Sequence, residues 1–386
     1  MPDLRQHSIN IILDNQASSG AFIASPNMAN YAYSWFRDGT FIAYAMDRVG
    51  EHSSAQRFYD WCATVINARS DVIERALLKT TRGEPLSADD YLHTRYTLDG
   101  RDGTDASWPN FQLDGLGTWL WGLQEHLQAT GRTTLPDTWA HAVDLTVRYL
   151  IGLWRTPNYD CWEEFNEYLH PHTLAAIYAG LRAATTLNEA NTQHIADAIA
   201  EIRRFVLSNG CRNGRLVKSF ITQISIQVGS NTQQHVSPEH SELTMITNAV
   251  DASLIGVTTP YGLLSPTDPI MQATLAQIEV DLHRPGGGVY RYLGDTYYGG
   301  GEWVLLTAWL GWHYARNGEV ERARELLHWV EAQADADGNL PEQVSTHLLA
   351  PNRYPEWETR WGVVAKPLLW SHAMYLLLYE ALKSTK

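Results

Sequence analysis

The chain has 386 residues and sets 29 lysines and arginines against 43 aspartates and glutamates, a formal net charge of −14 at pH 7. Such a balance repels phosphate backbones and anionic headgroups, so neither nucleic acid nor a membrane surface is an expected partner. The N-terminal MPDLRQHSINIILDNQ lacks the continuous apolar core of a signal peptide and no stretch is long enough for a membrane span, while Cys62, Cys161 and Cys211 fit free thiols, so a cytoplasmic location is expected.

Helical periodicity dominates the chain, with helices predicted over 3–15, 38–49, 53–79, 114–130, 136–154, 169–187, 191–207, 250–258, 267–282, 301–317, 319–334 and 366–384. Asp38 reads as a cap ahead of GTFIAYAMDRVG, Pro136 marks a helix start, and Gly131, Gly210 and Gly318 fall where helices should stop. Between 211 and 230, β-branched alternation predicts a short hairpin, followed by a polar surface loop up to 248. Segments such as WVLLTAWLGWHYA and PLLWSHAMYLLLYEAL are apolar nearly all round and belong to an inner layer, whereas EVERARELLHWVEAQA carries a polar face and belongs outside. About twelve helices alternating in this way predict an all-α fold, an (α/α)6 barrel, as a single domain over 1–386 with its functional loops at one end. An α-solenoid is the rival arrangement, and the lack of a fixed-period repeat weighs against it.

Fifteen Trp and 19 Tyr against eight Phe bias the aromatic set toward rings with a polar handle. These suit sugars, whose C–H faces stack on a ring while hydroxyls bond the indole N–H or the phenol O–H. Two loop segments, WEEFNE at 162–167 and PEQ at 341–343, add separated carboxylates in aromatic company. Glycosidic cleavage needs such a pair: one carboxyl protonates the leaving oxygen and the other stabilises the sugar or activates water.

Taken in order, NYAYSWFRDGT, SWPNFQLDG, DCWEEFNE, GGGVYRYLGDTYYGGGEW and GNLPEQ, followed by LLWSHA, resemble the loop motifs of the glucoamylase and glucodextranase group of inverting exo-α-glucosidases, glycoside hydrolase family 15, from about Tyr31 to Ala373. The resemblance implies that Glu163 is the general acid and Glu342 the general base. It implies that Arg37 and Asp38 bind the hydroxyls of the terminal glucose at the bottom of a blind pit, with Tyr31 beneath the reacting sugar and Trp35 of the same motif in the substrate site. By the same resemblance Trp108 supports the acid, Gln112 belongs to the substrate site, Trp162 removes water from the acid and Glu164 contacts the next sugar. Arg291 holds the sugars on either side of the scissile bond, and Trp370 lines the pit. Asp160 and Glu164, as neighbouring negative charges, are expected to raise the pKa of Glu163. The run Gly299–Gly301 is read as a tight turn before a helix.

The implied reaction is a single displacement that inverts configuration, with the two carboxyls roughly 6.5–9.5 Å apart. The motif set resembles short bacterial isomaltose-hydrolysing members most, so isomaltose or isomalto-oligosaccharides are the expected substrates and glucose the product. α-1,4 substrates of the maltose type come next. Trehalase-type members fit less well, because YLHPHTLAA replaces their HFTFSK-like stretch, which leaves His170 and His172 as loop or cap residues. A non-catalytic carbohydrate-binding barrel and a phosphorylase or transferase are the other classes. The 15 histidines form no ligand-spaced cluster, so neither metal nor cofactor is expected, and nothing in the sequence sets the oligomeric state.

Overall fold

The segments without a polar face form the inner wall of the fold in a computed structural model that describes residues 3–103, 108, 110–187, 192–221 and 248–384. Inner helices are α2 (Phe36–Arg48), α5 (Asp114–Thr130), α7 (Pro171–Leu187), α10 (Val304–Arg316) and α13 (Leu369–Ser384). In α10 every residue from Val304 to Ala315 is buried. A sixth inner element is a 3-10 segment, Ala252–Val257, and the six pack in a closed circuit: α2, α5, α7, the 3-10 segment, α10, α13 and back to α2.

Around this circuit lie α1 (Leu4–Asp14), α3 (His52–Asn67), α6 (Asp137–Leu153), α8 (Thr192–Asn209), α9 (Pro269–Asp281) and α11 (Val320–Glu331). Their burial is one-sided; in α11 only Ala323, Leu326 and Val330 are buried, a single stripe at helical spacing. Six inner and six outer elements make the all-α, (α/α)6 barrel that the hydrophobic patterning predicts. Where α5 meets α7 the backbones touch: a Cβ on Gly117 would stand 2.4 Å from the Ala176 carbonyl oxygen, and one on Gly180 would stand 2.5 Å from that of Gly117. Among the described residues no helix is long and apolar enough to cross a membrane.

Several expectations need correction. The helix expected over 53–79 is two, α3 and α4 (Ser70–Arg82), broken at Arg69, whose guanidinium ties Val65, Gly100 and Asp102 together. The segment expected as a helix over 250–258 is the 3-10 element, with Asp251 capping Ser253 N–H at its start. Asp38 is not a cap: α2 begins at Phe36 behind Trp35, and Asp38 lies in its first turn. A further helix, α12 (Tyr354–Trp361), occupies a segment read as loop. The hairpin near 211–230 is present as β3 (Cys211–Arg212) paired with β4 (Arg215–Leu216), while its expected continuation and the polar run across 222–247 lie outside the described residues. Gly131 and Gly318 take left-handed backbone just past their helices, and Gly210 follows the last residue of α8.

Two further ladders tie the loops at one end of the barrel: β1 (Ser34–Trp35) pairs with β2 (Arg95–Tyr96), and β5 (Glu302–Trp303) pairs with β6 (Gln343–Val344). This is the end where α2, α5 and α13 begin.

Candidate active site

At that end a cavity of about 360 Å³ collects eleven of the twelve residues singled out from the sequence: Tyr31, Trp35, Arg37, Asp38, Trp108, Trp162, Glu163, Glu164, Arg291, Glu342 and Trp370. Gln112 is not on its wall. It stands behind Arg37, accepting from Nη1 at 3.0 Å and donating to the Asp160 carbonyl.

Glu163 and Glu342 reach this wall by different local devices. Glu163 has φ +67°, a left-handed conformation that costs a non-glycine residue free energy and persists only where its surroundings hold it. Asp160 does the holding. Its Oδ1 accepts from the backbone N–H of Trp162 at 3.0 Å and of Glu164 at 2.9 Å, and its carbonyl accepts from Glu163 N–H at 2.9 Å. Behind the loop, Lys218 Nζ sits 2.8 Å from Asp160 Oδ2 and 2.6 Å from Asp251 Oδ2, and Asp251 also accepts from the Trp162 indole at 3.0 Å. Lys218 and Asp251 are buried, and sequence reasoning missed both.

Glu342 is pinned through its backbone: its N–H donates to Ala365 at 2.9 Å, and its carbonyl accepts from Val304 at 3.0 Å. The LLWSHA motif contributes two anchors, Ser371 Oγ donating to the Pro341 carbonyl at 2.8 Å and His372 Nε2 accepting from Leu340 N–H at 3.0 Å. Burial holds His372 neutral, with its pKa lowered to about 3. Gly300, with φ +67°, passes so close that a Cβ would stand 2.4 Å from the Asp295 carbonyl oxygen, which accounts for the glycine run before α10.

Both carboxyls are shifted upward. Glu163 is pushed to about 7 by burial, with Asp38 adding to the rise and Arg37 and the Trp35 indole opposing it; that indole donates to Glu163 Oε1 at 2.5 Å. The like charge near Glu163 is therefore Asp38, not Asp160 or Glu164 as expected, because Asp160 is engaged by Lys218 and Glu164 faces Arg291 and the Tyr292 hydroxyl. Glu342 is pushed to about 8 by burial, against the Tyr31 hydroxyl at 2.9 Å and the Arg291 charge. Its Oε2 is a buried acceptor that no group among the described residues meets.

Opposite these groups, Arg37 Nη1 contacts Asp114 Oδ2 at 3.1 Å, and Arg37 Nε lies 3.3 Å from Asp38 Oδ2 without hydrogen-bond alignment. Arg291 is clamped by Asp295 at 2.5 Å and approaches Glu164 at 3.5 Å. Trp108 edges against Trp35 at 6.1 Å, so it reaches Glu163 through the ring that holds it. The buried indole N–H groups of Trp108, Trp303 and Trp370, all on the wall, have no acceptor among the described residues. His170 bonds the Asn158 carbonyl and Ser219, and His172 bonds the Ser253 carbonyl, so both brace the wall from behind. Among the described residues no group of three or more His, Cys, Asp or Glu could hold a metal ion. The sequence reading also missed Tyr297, Trp303, Trp357, Arg360 and Trp361 on the wall; the Trp-rich YPEWETRW was the signal for the last three.

The family model for glycosyl hydrolases family 15 matches residues 3–380. The isomaltose glucohydrolase of Kribbella flavida is 40% identical over 98% of this chain and 92% of its own length. A substituted glycosidase solved in complex with glucose superposes with TM-score 0.87 at 40% identity, covering 99% of this chain and 96% of that one. A bacterial glucoamylase complexed with acarbose has the same fold, with TM-score 0.72 at 20% identity over 99% of this chain and 56% of that one.

Proposed function

The chain belongs to the glycosyl hydrolases of family 15 and is a glycoside hydrolase, and on that premise we propose that it removes β-glucose from the non-reducing end of short α-glucosides by inverting hydrolysis, with α-1,6-linked isomaltose and isomalto-oligosaccharides as substrates. The observation that carries this reading is the pair Glu163 and Glu342, both raised by burial, on the wall of one small cavity. The 40% identity with an isomaltose glucohydrolase supports the linkage.

In this mechanism the terminal glucose lies against Arg37, Asp38 and Trp370, where half-satisfied polar atoms and unpaired indole donors meet its hydroxyls. Glu342, ionised, takes a proton from a water that forms the new bond to the anomeric carbon. As the glycosidic C–O bond breaks on the opposite face, Glu163 gives its proton to the departing oxygen. Burial raises both carboxyls, to about 7 for Glu163 and about 8 for Glu342, with the Tyr31 hydroxyl and Arg291 opposing the rise at Glu342, so the roles of acid and base rest on the motif positions and not on which carboxyl holds its proton more tightly. Arg291 and Glu164 face the sugar beyond the cut bond. Trp162 keeps water from Glu163, and Trp35 orients it. We place the enzyme in a reducing compartment, the cytoplasm, a reading supported by its three free cysteines.

One panel tests the assignment: isomaltose, maltose, nigerose, trehalose and dextran, each with and without phosphate. Phosphate-independent release of glucose, fastest from isomaltose, is expected. Binding without turnover, or an obligatory phosphate, would overturn the hydrolytic reading, and faster turnover of maltose or trehalose would overturn the linkage.

A further inference from the structure

Helix α12 gives Trp357, Arg360 and Trp361 to the cavity wall and is joined to both halves of the catalytic pair. The Trp361 ring stacks on Trp108 at 5.7 Å and 22°, and Trp108 abuts Trp35, the donor to Glu163. The Trp357 ring meets Tyr297 edge-on at 5.0 Å, and the Tyr297 hydroxyl is 2.9 Å from that of Tyr31, the donor to Glu342. The helix is anchored from below by the Tyr298 hydroxyl, which donates to the Gly362 carbonyl at 2.9 Å.

Three guanidinium groups stand on the cavity wall, and only two are neutralised. Arg37 pairs with Asp114 and Asp38, and Arg291 pairs with Asp295. Arg360 lies over the rings of Trp357 at 5.4 Å and Trp361 at 5.2 Å, and no described carboxylate pairs with it. Burial orders the wall from floor to mouth: Arg37, Trp370 and Glu342 are at most 5% exposed, Trp357 and Trp361 are half-buried, and Arg360 is exposed. In a site entered by chain ends, the unit that leaves sits at the mouth.

We propose that Trp357, Arg360 and Trp361 bind the leaving-group sugar of the substrate and thereby select a hydroxylated ring there. This rests on the reading of the site as an α-glucoside hydrolase. Indole faces match the C–H face of a pyranose, and a guanidinium offers five N–H donors and no acceptor, which suits ring hydroxyl oxygens.

The test compares isomaltose with methyl α-D-glucopyranoside, which carries the same glucose and an alkoxide leaving group that needs the same proton from Glu163 but offers no sugar ring for α12 to hold. Arg360→Ala and Trp361→Ala should lower kcat/KM for isomaltose by about 10- to 100-fold, and this loss should exceed the loss on methyl α-D-glucopyranoside at least about tenfold. Equal losses on both substrates would assign α12 to the support of Glu163 and Glu342 and overturn the proposal, as would undiminished turnover of isomaltose. A wild-type protein that hydrolyses neither substrate would overturn the hydrolase reading itself. Because Arg360 is exposed, its variant reports on binding even if Trp361→Ala disturbs packing.

Discussion

Tyr31 donates its hydroxyl to Glu342 Oε1 at 2.9 Å and is itself met by the Tyr297 hydroxyl at 2.9 Å, so one oxygen of the proposed base is fixed while Oε2 is left for a ligand. Removing that donor by Tyr31→Phe withdraws support from the charged carboxylate. A hydrogen bond to a charged group contributes ~1.5–3 kcal/mol, so kcat/KM should fall about 10- to 100-fold. The acid limb of the pH profile should also move up, since the ionised form loses its partner. An acid limb unmoved in this variant would separate Tyr31 from the base.

The wild-type pH profile follows from the same pair. Activity needs one proton on two carboxyls: at low pH both are protonated and no base exists, and at high pH both are ionised and no acid exists. Burial raises Glu163 to about 7 and Glu342 to about 8. The profile of kcat/KM for isomaltose should therefore be bell-shaped with its maximum near neutrality. A maximum below about pH 4.5, where free glutamates titrate, would show that neither carboxyl is shifted as the buried site requires.

Stability should vary with pH in a matching way. A carboxyl whose folded pKa is raised binds its proton more tightly when folded, so its contribution is complete below the unfolded value and is lost as pH rises through the folded one. For Glu342 that window runs from 4.5 to about 8. Glu342→Gln removes the charge, so it should raise Tm at pH 8.5 by the equivalent of up to a few kcal/mol while changing it little at pH 4.5. The same variant should lower kcat by about 100-fold or more. Equal melting shifts at both pH values would contradict the assignment.

Lys218 carries the loop that presents Glu163. It is buried between Asp160 and Asp251, whose charges outweigh the effect of burial and keep it protonated. Lys218→Met strands two buried carboxylates, a loss of about 3–5 kcal/mol. Thermal melting should reveal it, and Lys218→Met combined with Asp160→Asn and Asp251→Asn should recover part of the Tm. A melting point unchanged in the single variant would remove Lys218 from this network.

Much of the site was legible because its residues sit in short motifs: eleven of the twelve named side chains line one cavity. The barrel was legible because burial on all sides leaves α10 without a polar face, while α11 keeps a single stripe. Other features escaped for physical reasons. Lys218 lies in a segment that reads as a short β-branched hairpin, and a lysine is ordinarily exposed; only the fold brings together residues 160, 218 and 251. Helix α12 begins with Tyr354 and Pro355, and proline in a first turn looks like a loop signal although it costs no helical hydrogen bond there. Gln112 shares its motif with the pit residues but turns inward to Arg37, a choice of side-chain direction that spacing does not record.

The configuration of the first glucose formed tests the proposed mechanism most directly, because a water activated by Glu342 must arrive opposite the oxygen protonated by Glu163. Proton NMR of isomaltose hydrolysis, followed from the first minutes, should show the β-anomeric signal rising first and the excess α-anomer appearing only as mutarotation proceeds. Initial release of α-glucose would mean retention, and Glu163 and Glu342 could not then be the acid and base of a single displacement.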